Sequence, residues 1–142
     1  MQVYDKRTGL EVLDDRACFD LLHNGVVGRV VAVDGDRPEI FPVNYSVAGD
    51  NVLFRTAAGT KLETALAGPV AFEVDAFDPE DRTGWSVVIH GRAELVNRFG
   101  NPEETERLTG LPVDPWAAGE KEFLVRIVPA TITGRRVGEM VG

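Results

Sequence analysis

A single cysteine in 142 residues leaves no partner for an intrachain disulfide and no basis for a multi-cysteine metal site. That residue, Cys18, stands beside Phe19, Leu21 and Leu22 in a helical pattern and reads as a small buried apolar side chain. Histidine is nearly as scarce. With His23 and His90 alone, a catalytic zinc site lacks ligands, and no metal site is expected. No apolar run approaches the roughly 20 residues that span a membrane. The start, Met1-Gln2-Val3-Tyr4-Asp5, has no basic region followed by an apolar stretch, so neither a membrane segment nor a secretory signal is expected, and the cytoplasm is the expected location. Cations are outnumbered, 15 Lys and Arg against 23 Asp and Glu, for a formal net charge of −8. That balance argues against nonspecific attraction to nucleic acid or anionic membrane, while leaving room for a local basic site. The glycine spacing and Gly-Lys-Ser/Thr ending of a P-loop are missing, as are a Gly-x-Ser-x-Gly elbow and a cysteine–histidine pair.

What is present is mostly β chemistry. A first helix is predicted from about Asp14 to His23, with Asp14 or Asp15 at its cap and Asn24-Gly25 at its end. The β-branched run Val26–Val33 then meets the turn Asp34-Gly35-Asp36 and returns from about Glu39 to Val47. Ala48-Gly49-Asp50-Asn51 leads into Val52–Thr56. The spacing Thr60-Lys61-Leu62-Glu63 predicts a short helix opened by a capping box and stopped by Gly68-Pro69. Strands are predicted over Val70–Phe77 and Trp85–Val96, and another over Phe123–Ile127 with an extension past Pro129 to Val137. Between them, a short helix is predicted from Asn101 to Gly110. Nothing repeats and nothing divides the chain. Short strands with small helices between them favour a closed or nearly closed antiparallel barrel.

Three stretches carry chemistry. In Phe54-Arg55-Thr56-Ala57-Ala58-Gly59-Thr60-Lys61-Leu62 a strand ends in a guanidinium and a hydroxyl, and a helix then begins with a hydroxyl and an ammonium. Helix N-termini present unpaired N–H groups and a partial positive charge, so this is a monophosphate cradle in outline. The same residues also read as a helix cap with two solvated cations, and sequence alone leaves both readings open. In Ile40-Phe41-Pro42-Val43-Asn44-Tyr45, Pro42 removes a ladder donor and predicts an edge or a bulge, where backbone groups and the Asn44 amide are able to meet a planar heterocycle. The plainer alternative is an edge strand with Tyr45 in the core. In Gly84-Trp85-Ser86-Val87-Val88-Ile89-His90, alternation sends Trp85, Val87 and Ile89 to one face and Ser86, Val88 and His90 to the other. Trp85 is placed to stack on a ring or to fill a core. His90 reads as structural, and His23 as a cation capping a helix C-terminus.

Taken in order, these stretches resemble the pyridoxamine 5′-phosphate oxidase-like family of flavin-binding split barrels, and within it the small members grouped with nitroimidazole-resistance proteins. The likeness runs through Gly28-Arg29-Val30, Phe41–Tyr45, Phe54-Arg55-Thr56, Gly59–Leu62, Val70–Asp75, Gly84–Val87 and Gly91-Arg92-Ala93, and is weaker in the last third. The resemblance implies a mainly β fold, an antiparallel split β-barrel with short flanking helices, as a single FMN-binding domain over residues 1–142. It implies a homodimer holding FMN in clefts between two barrels, with a deazaflavin coenzyme or haem as alternative cofactors. Pro42, Val43 and Asn44 would lie along the isoalloxazine ring, and Arg55, Thr56, Thr60 and Lys61 would surround the phosphate. Trp85 and Ser86 would approach from a neighbouring segment or subunit, with Arg135 and Arg136 also reaching the cleft.

The expected activity is that of an FMN-dependent oxidoreductase acting on a small organic substrate, with no catalytic acid singled out. A deazaflavin-dependent reductase and a noncatalytic flavin- or haem-binding protein are the alternatives. Oxidation of pyridoxamine phosphate is not expected. The resemblance implies basic residues in the flavin strand and a terminal histidine for that substrate, and here Pro42-Val43-Asn44-Tyr45 and Thr133-Gly134-Arg135-Arg136-Val137-Gly138 supply neither.

Overall fold

In the computed structural model, which describes residues 2–96 and 123–138, β-branched alternation becomes strands with one buried and one open face. The elements in chain order are β1 (Val3–Tyr4), β2 (Glu11–Leu13), α1 (Asp15–His23), β3 (Val27–Asp34), β4 (Arg37–Ala48), β5 (Asn51–Thr56), α2 (Thr60–Ala67), β6 (Pro69–Asp78), β7 (Thr83–Leu95) and β8 (Phe123–Val137). The helix expected over Asn101–Gly110 lies outside the described residues.

All strand pairs are antiparallel, in the order β1-β2-β8-β5-β4-β3-β6-β7, and a further β7–β8 ladder closes a six-stranded barrel. Among the described residues this is the mainly β antiparallel barrel with short flanking helices that the sequence predicts. β8 makes closure possible because it is long. Its first five residues pair with β5, Gly134–Arg136 pair with β2, and β7 runs beside it from Leu95 to Gly84. The β7–β8 register slips once, where His90 faces Thr131 but Gly91 faces Pro129. Gly91 is required there, since a Cβ would lie 2.1 Å from the Val128 carbonyl oxygen.

Inside, Val30, Val52, Phe54, Phe72, Val87, Ile89 and Ile127 are sealed from water. The amphipathic α1 buries Cys18 and Leu22, and α2 buries Leu62 and Ala65, so each helix packs its apolar side into the same core. Asp14 caps α1 by accepting from the Ala17 N–H at 2.8 Å. Tyr45 fastens the other end of α1, its hydroxyl donating to the Leu22 carbonyl at 2.6 Å while its ring meets Phe72 edge-on at 5.1 Å. Burial pushes the Tyr45 hydroxyl up to about 12, so it stays a donor at neutral pH.

Two expectations are corrected. The chain before α1 forms a small antiparallel pair, β1–β2, that extends the sheet beyond β8. And α2 has no capping box. Thr60 is the first helical residue, and the cap position falls to Gly59 at φ 152°, which gives no side-chain cap hydrogen bond.

Candidate functional site

The sheet forks at the candidate site. The β4–β5 ladder runs from Ala48↔Asn51 to Tyr45↔Phe54 and stops. Upstream of Tyr45, β4 pairs only with β3, while Arg55 and Thr56 continue beside Leu124 and Phe123 of β8. Pro42 and Val43 therefore lie on one prong and Arg55 and Thr56 on the other, with Asn44 at the crotch.

Backbone parity explains why Pro42 is tolerated. The Tyr45 N–H donates to the Val26 carbonyl at 3.2 Å, so the main chain of Tyr45, Val43 and Phe41 faces β3. By the period of two, the main chain of Pro42 and Ile40 faces the open prong. Pro42 costs the β3–β4 ladder nothing and places a carbonyl, without a donor, on the edge, as the sequence predicts for an edge strand.

The start of α2 reaches the β4 prong through one side chain. Lys61 Nζ stands 5.6 Å from the centroid of the Phe41 ring, the residue next to Pro42. Thr60 and Lys61 are exposed, and Arg55 and Thr56 are half-buried, the Thr56 hydroxyl donating to the Ala57 carbonyl at 3.3 Å. The missing cap now has a consequence. The first amides of α2 meet no capping side chain, and a Cβ at Gly59 would have nothing within 4 Å. An uncapped eight-residue helix flanked by an ammonium and a guanidinium suits a phosphate, and the donor set therefore fits a phosphorylated cofactor.

The other predicted residues form a second group. Trp85 faces Arg136, and Ser86 faces Arg135, across the β7–β8 ladder. Trp85 is half-buried against the core, whereas Ser86 points outward with Val88. Arg136 makes a bidentate pair with Glu11, 3.0 Å from Nε to Oε1 and 3.1 Å from Nη2 to Oε2. Arg135 Nη1 donates to the Gly134 carbonyl at 3.0 Å. Within one chain β7, which carries Trp85 and Ser86, is three strands from β4, along the row Pro42↔Arg29↔Glu73↔Val88. At about 4.8 Å per strand that is about 14 Å around the curved sheet. One chain brings Pro42, Val43, Asn44, Arg55, Thr56, Thr60 and Lys61 together and leaves Trp85, Ser86, Arg135 and Arg136 apart.

Between the groups lies a charge cluster that sequence reading passed over. Arg29 Nη1 lies 2.8 Å from Glu73 Oε1 and 3.4 Å from Asp75 Oδ2. Its signal was present in the parity of β3 and β6, which turns Arg29, Glu73 and Asp75 to one face. No group of three or more His, Cys, Asp or Glu that could hold a metal occurs among the described residues. Nor is any described helix long and apolar enough to cross a membrane.

A sequence profile of the family described as pyridoxamine 5′-phosphate oxidase matches residues 14–136. The chain belongs to the pyridoxamine 5′-phosphate oxidase family. The match to this oxidase family runs from the cap of α1 to Arg136, and so spans both groups of candidate residues. An uncharacterized Mycobacterium tuberculosis protein, Rv0080, is 36% identical over 131 residues, covering 88% of this chain and 84% of its own. Among solved structures, a FAD binding protein from Mycobacterium smegmatis superposes with a TM-score of 0.75 at 37% identity, covering 88% of this chain and 95% of that one. A putative pyridoxamine 5′-phosphate oxidase from Corynebacterium glutamicum gives 0.76 at 36% identity, covering 92% and 96%.

Proposed function

We propose that this protein binds a flavin 5′-phosphate at the β4–β5 fork, FMN being the cofactor, and works as a homodimeric oxidoreductase on a small organic substrate. The observation that carries the reading is the uncapped start of α2, whose Lys61 lies near Phe41, the residue before the edge residue Pro42, with Arg55 on the other prong of the fork. Thr60, Lys61, Arg55 and Thr56 hold the phosphate. Pro42, Val43 and Asn44 line the ring, and the apolar prong keeps water from one side of it. When bound, the flavin supplies hydride transfer at N5, while the chain binds and orients. The Mycobacterium smegmatis relative is described as FAD binding. FAD shares the ring and the first phosphate with FMN, so the same cradle serves either.

The separation of the two groups supports the homodimeric reading. β7, which carries Trp85 and Ser86, lies three strands from β4, and a two-fold pairing lets one copy's β7–β8 end complete the cleft of the other. The substrate is a flat aromatic acceptor such as a nitroaromatic or quinone, which suits an apolar wall made by the exposed Pro42 together with the Trp85 region of a second copy.

The test is an absorption spectrum of the purified chain, then release of the cofactor and mass analysis. A flavin spectrum with the mass of FMN is expected, and the mass of FAD would correct the cofactor while keeping the site. A deazaflavin band or a Soret band would replace the flavin. A colourless protein that takes up neither FMN nor FAD on titration would remove the reading.

A further inference from the structure

The pairing of β8 has a gap on one edge. There it pairs with β5 from Phe123 to Ile127 and with β2 from Gly134 to Arg136, while residues 128–133 pair only with β7 among the described residues. The Leu124 carbonyl accepts from the Val96 N–H at the end of β7, so the main chain of Leu124, Arg126 and Val128 faces β7. The Val128 carbonyl lies against Gly91 of β7, in agreement. By the period of two, Ile127 faces β5 and Pro129 faces the gap. Pro129 has no N–H, so it offers the gap an acceptor and no donor.

An open cavity of about 510 Å³ occupies this gap, with Phe19 of α1, Pro129 and Ile132 as apolar walls and Asp15, Asp50 and Asn51 around them. That volume is in the range of small-molecule sites, roughly 300–1,000 Å³. Asp15 stands in the first turn of α1 but is not its cap, which is Asp14, and Asp50 stands in the turn between β4 and β5. Among the described residues no Lys, Arg or His pairs with Asp15 or Asp50. Two carboxylates without a cation and a strand edge without a donor make the cavity rich in acceptors. The net charge of −8 adds a field of the same sign.

We propose that this cavity binds a small organic cation, an ammonium group carried on an apolar body. The ammonium, with three donors and no acceptor, meets Asp50, Asp15 and the Pro129 carbonyl, and the body lies against Phe19 and Ile132. An anion is repelled by the same groups. An added β-strand is the poorer occupant, because Pro129 has no N–H to give its ladder. The site is separate from the fork. Asn51 begins β5 and Thr56 ends it, so at about 3.4 Å per residue the two sites stand about 17 Å apart along the strand. The inference is therefore independent of the flavin reading and adds a second ligand to it.

Amide NMR of the full chain, titrated with phenethylamine, phenethyl alcohol and phenylacetate, tests this, since the three share a phenyl body and differ in charge. Phenethylamine should saturate and move the Phe19, Asn51 and Thr131 amides while those of Thr60 and Lys61 stay still. It should bind about threefold or more tighter than the alcohol, the scale of an exposed ion pair with a charge-assisted hydrogen bond. Phenylacetate should not bind. Asp50→Asn should bring amine and alcohol close to equal affinity. Asp15→Asn should do less, because the partial positive charge of the first turn already offsets Asp15. FMN titration of Asp50→Asn should match wild type. Equal affinity of wild type for amine and alcohol, or an Asp50→Asn protein that keeps the full preference, would overturn the cation site. So would a chain that does not respond to phenethylamine, or shifts centred on Thr60 and Lys61, which place the amine at the fork. A changed FMN affinity in Asp50→Asn would overturn the independence of the two sites. Failure of FMN to bind at all would remove the flavin reading and leave this one standing.

Discussion

Lys61 of α2 holds its ammonium 5.6 Å from the centre of the Phe41 ring, which ties the start of the helix to the strand edge that begins at Pro42. The contact presents Lys61 at the fork and keeps it there by cation–π attraction. In the reading proposed above, the phosphate is its only ligand contact. Lys61→Ala should then weaken FMN binding by the worth of charge-assisted hydrogen bonds, about 1.5–3 kcal/mol. That is a loss of roughly ten- to a hundredfold in affinity. Riboflavin, which lacks the phosphate, should bind wild type and variant alike. Titration of both ligands against both proteins decides it, and equal weakening for riboflavin would show that Lys61 acts through packing on Phe41 instead.

Gly28 illustrates a different constraint, from the core. A Cβ at this position would lie 2.2 Å from Cζ of Phe72 and 2.5 Å from its Cε1. Phe72 has nowhere to go, being fully buried with the Tyr45 ring edge-on against it. Gly28→Ala should lower stability by about 1–3 kcal/mol, the usual cost of overpacking. A shift of the urea midpoint at constant slope reads it directly. An unchanged midpoint would mean that β3 shifts freely, against its full pairing with β4.

Much of this architecture was legible because alternation is local. Val26–Val33, Val70–Phe77 and Trp85–Val96 write their buried faces into period-two patterns, and the strands appear within a few residues of those bounds. Pro42 announced an edge, and β4 is unpaired on that side beyond Tyr45. Glu11-Val12-Leu13 was missed because three residues are too short for a pattern. What holds them is tertiary, the ladder to β8 and the Glu11–Arg136 pair, 125 residues apart. The capping box failed for a related reason. The hydroxyl and carboxylate spacing of Thr60 and Glu63 fits a cap one residue later than the one formed, and only the φ of 152° at Gly59 decides where the helix begins. For the site, Arg55, Thr56, Thr60 and Lys61 were readable because they are consecutive in sequence. That Trp85 and Ser86 lie three strands from β4 depends on strand order, which no local pattern encodes.

The Glu11–Arg136 pair predicts a direction of pH dependence. Its hydrogen bonds to Arg136, opposed in part by desolvation, hold the Glu11 carboxyl below its ordinary 4.5. The unfolded chain binds the Glu11 proton more readily than the folded one. The stabilisation is therefore present above the ordinary carboxylate value and is lost as the pH falls through the lowered one. Glu11→Gln should reduce stability at neutral pH by less than about 1 kcal/mol, because such pairs stay in touch with solvent. The gap from wild type should close below about pH 4. Thermal melts of both proteins across that range measure it, and a gap that widens on acidification would reverse the assignment.

Substrate choice gives the last prediction. Reduced flavin in this protein should pass electrons to nitroaromatic or quinone acceptors faster than the oxidised protein turns over pyridoxamine phosphate. A site for the B6 phosphate needs a second anion cradle beyond the one that holds the cofactor's phosphate. The cations placed for that role at the C-terminal strand are already engaged, Arg136 with Glu11 and Arg135 with the Gly134 carbonyl. The nearest charge to Pro42 on the outer face, Arg29, is held by Glu73 and Asp75. A flat uncharged acceptor needs none of them, only an apolar wall such as Pro42 and a partner's Trp85 region. Anaerobic stopped-flow reoxidation with each acceptor, beside a steady-state assay of pyridoxamine phosphate, separates the cases. Efficient oxidation of the B6 substrate would mean that Arg135 leaves Gly134 for a ligand. No reaction with any acceptor would mean that the Trp85 ring closes the cleft, and the protein would then bind its flavin without turnover.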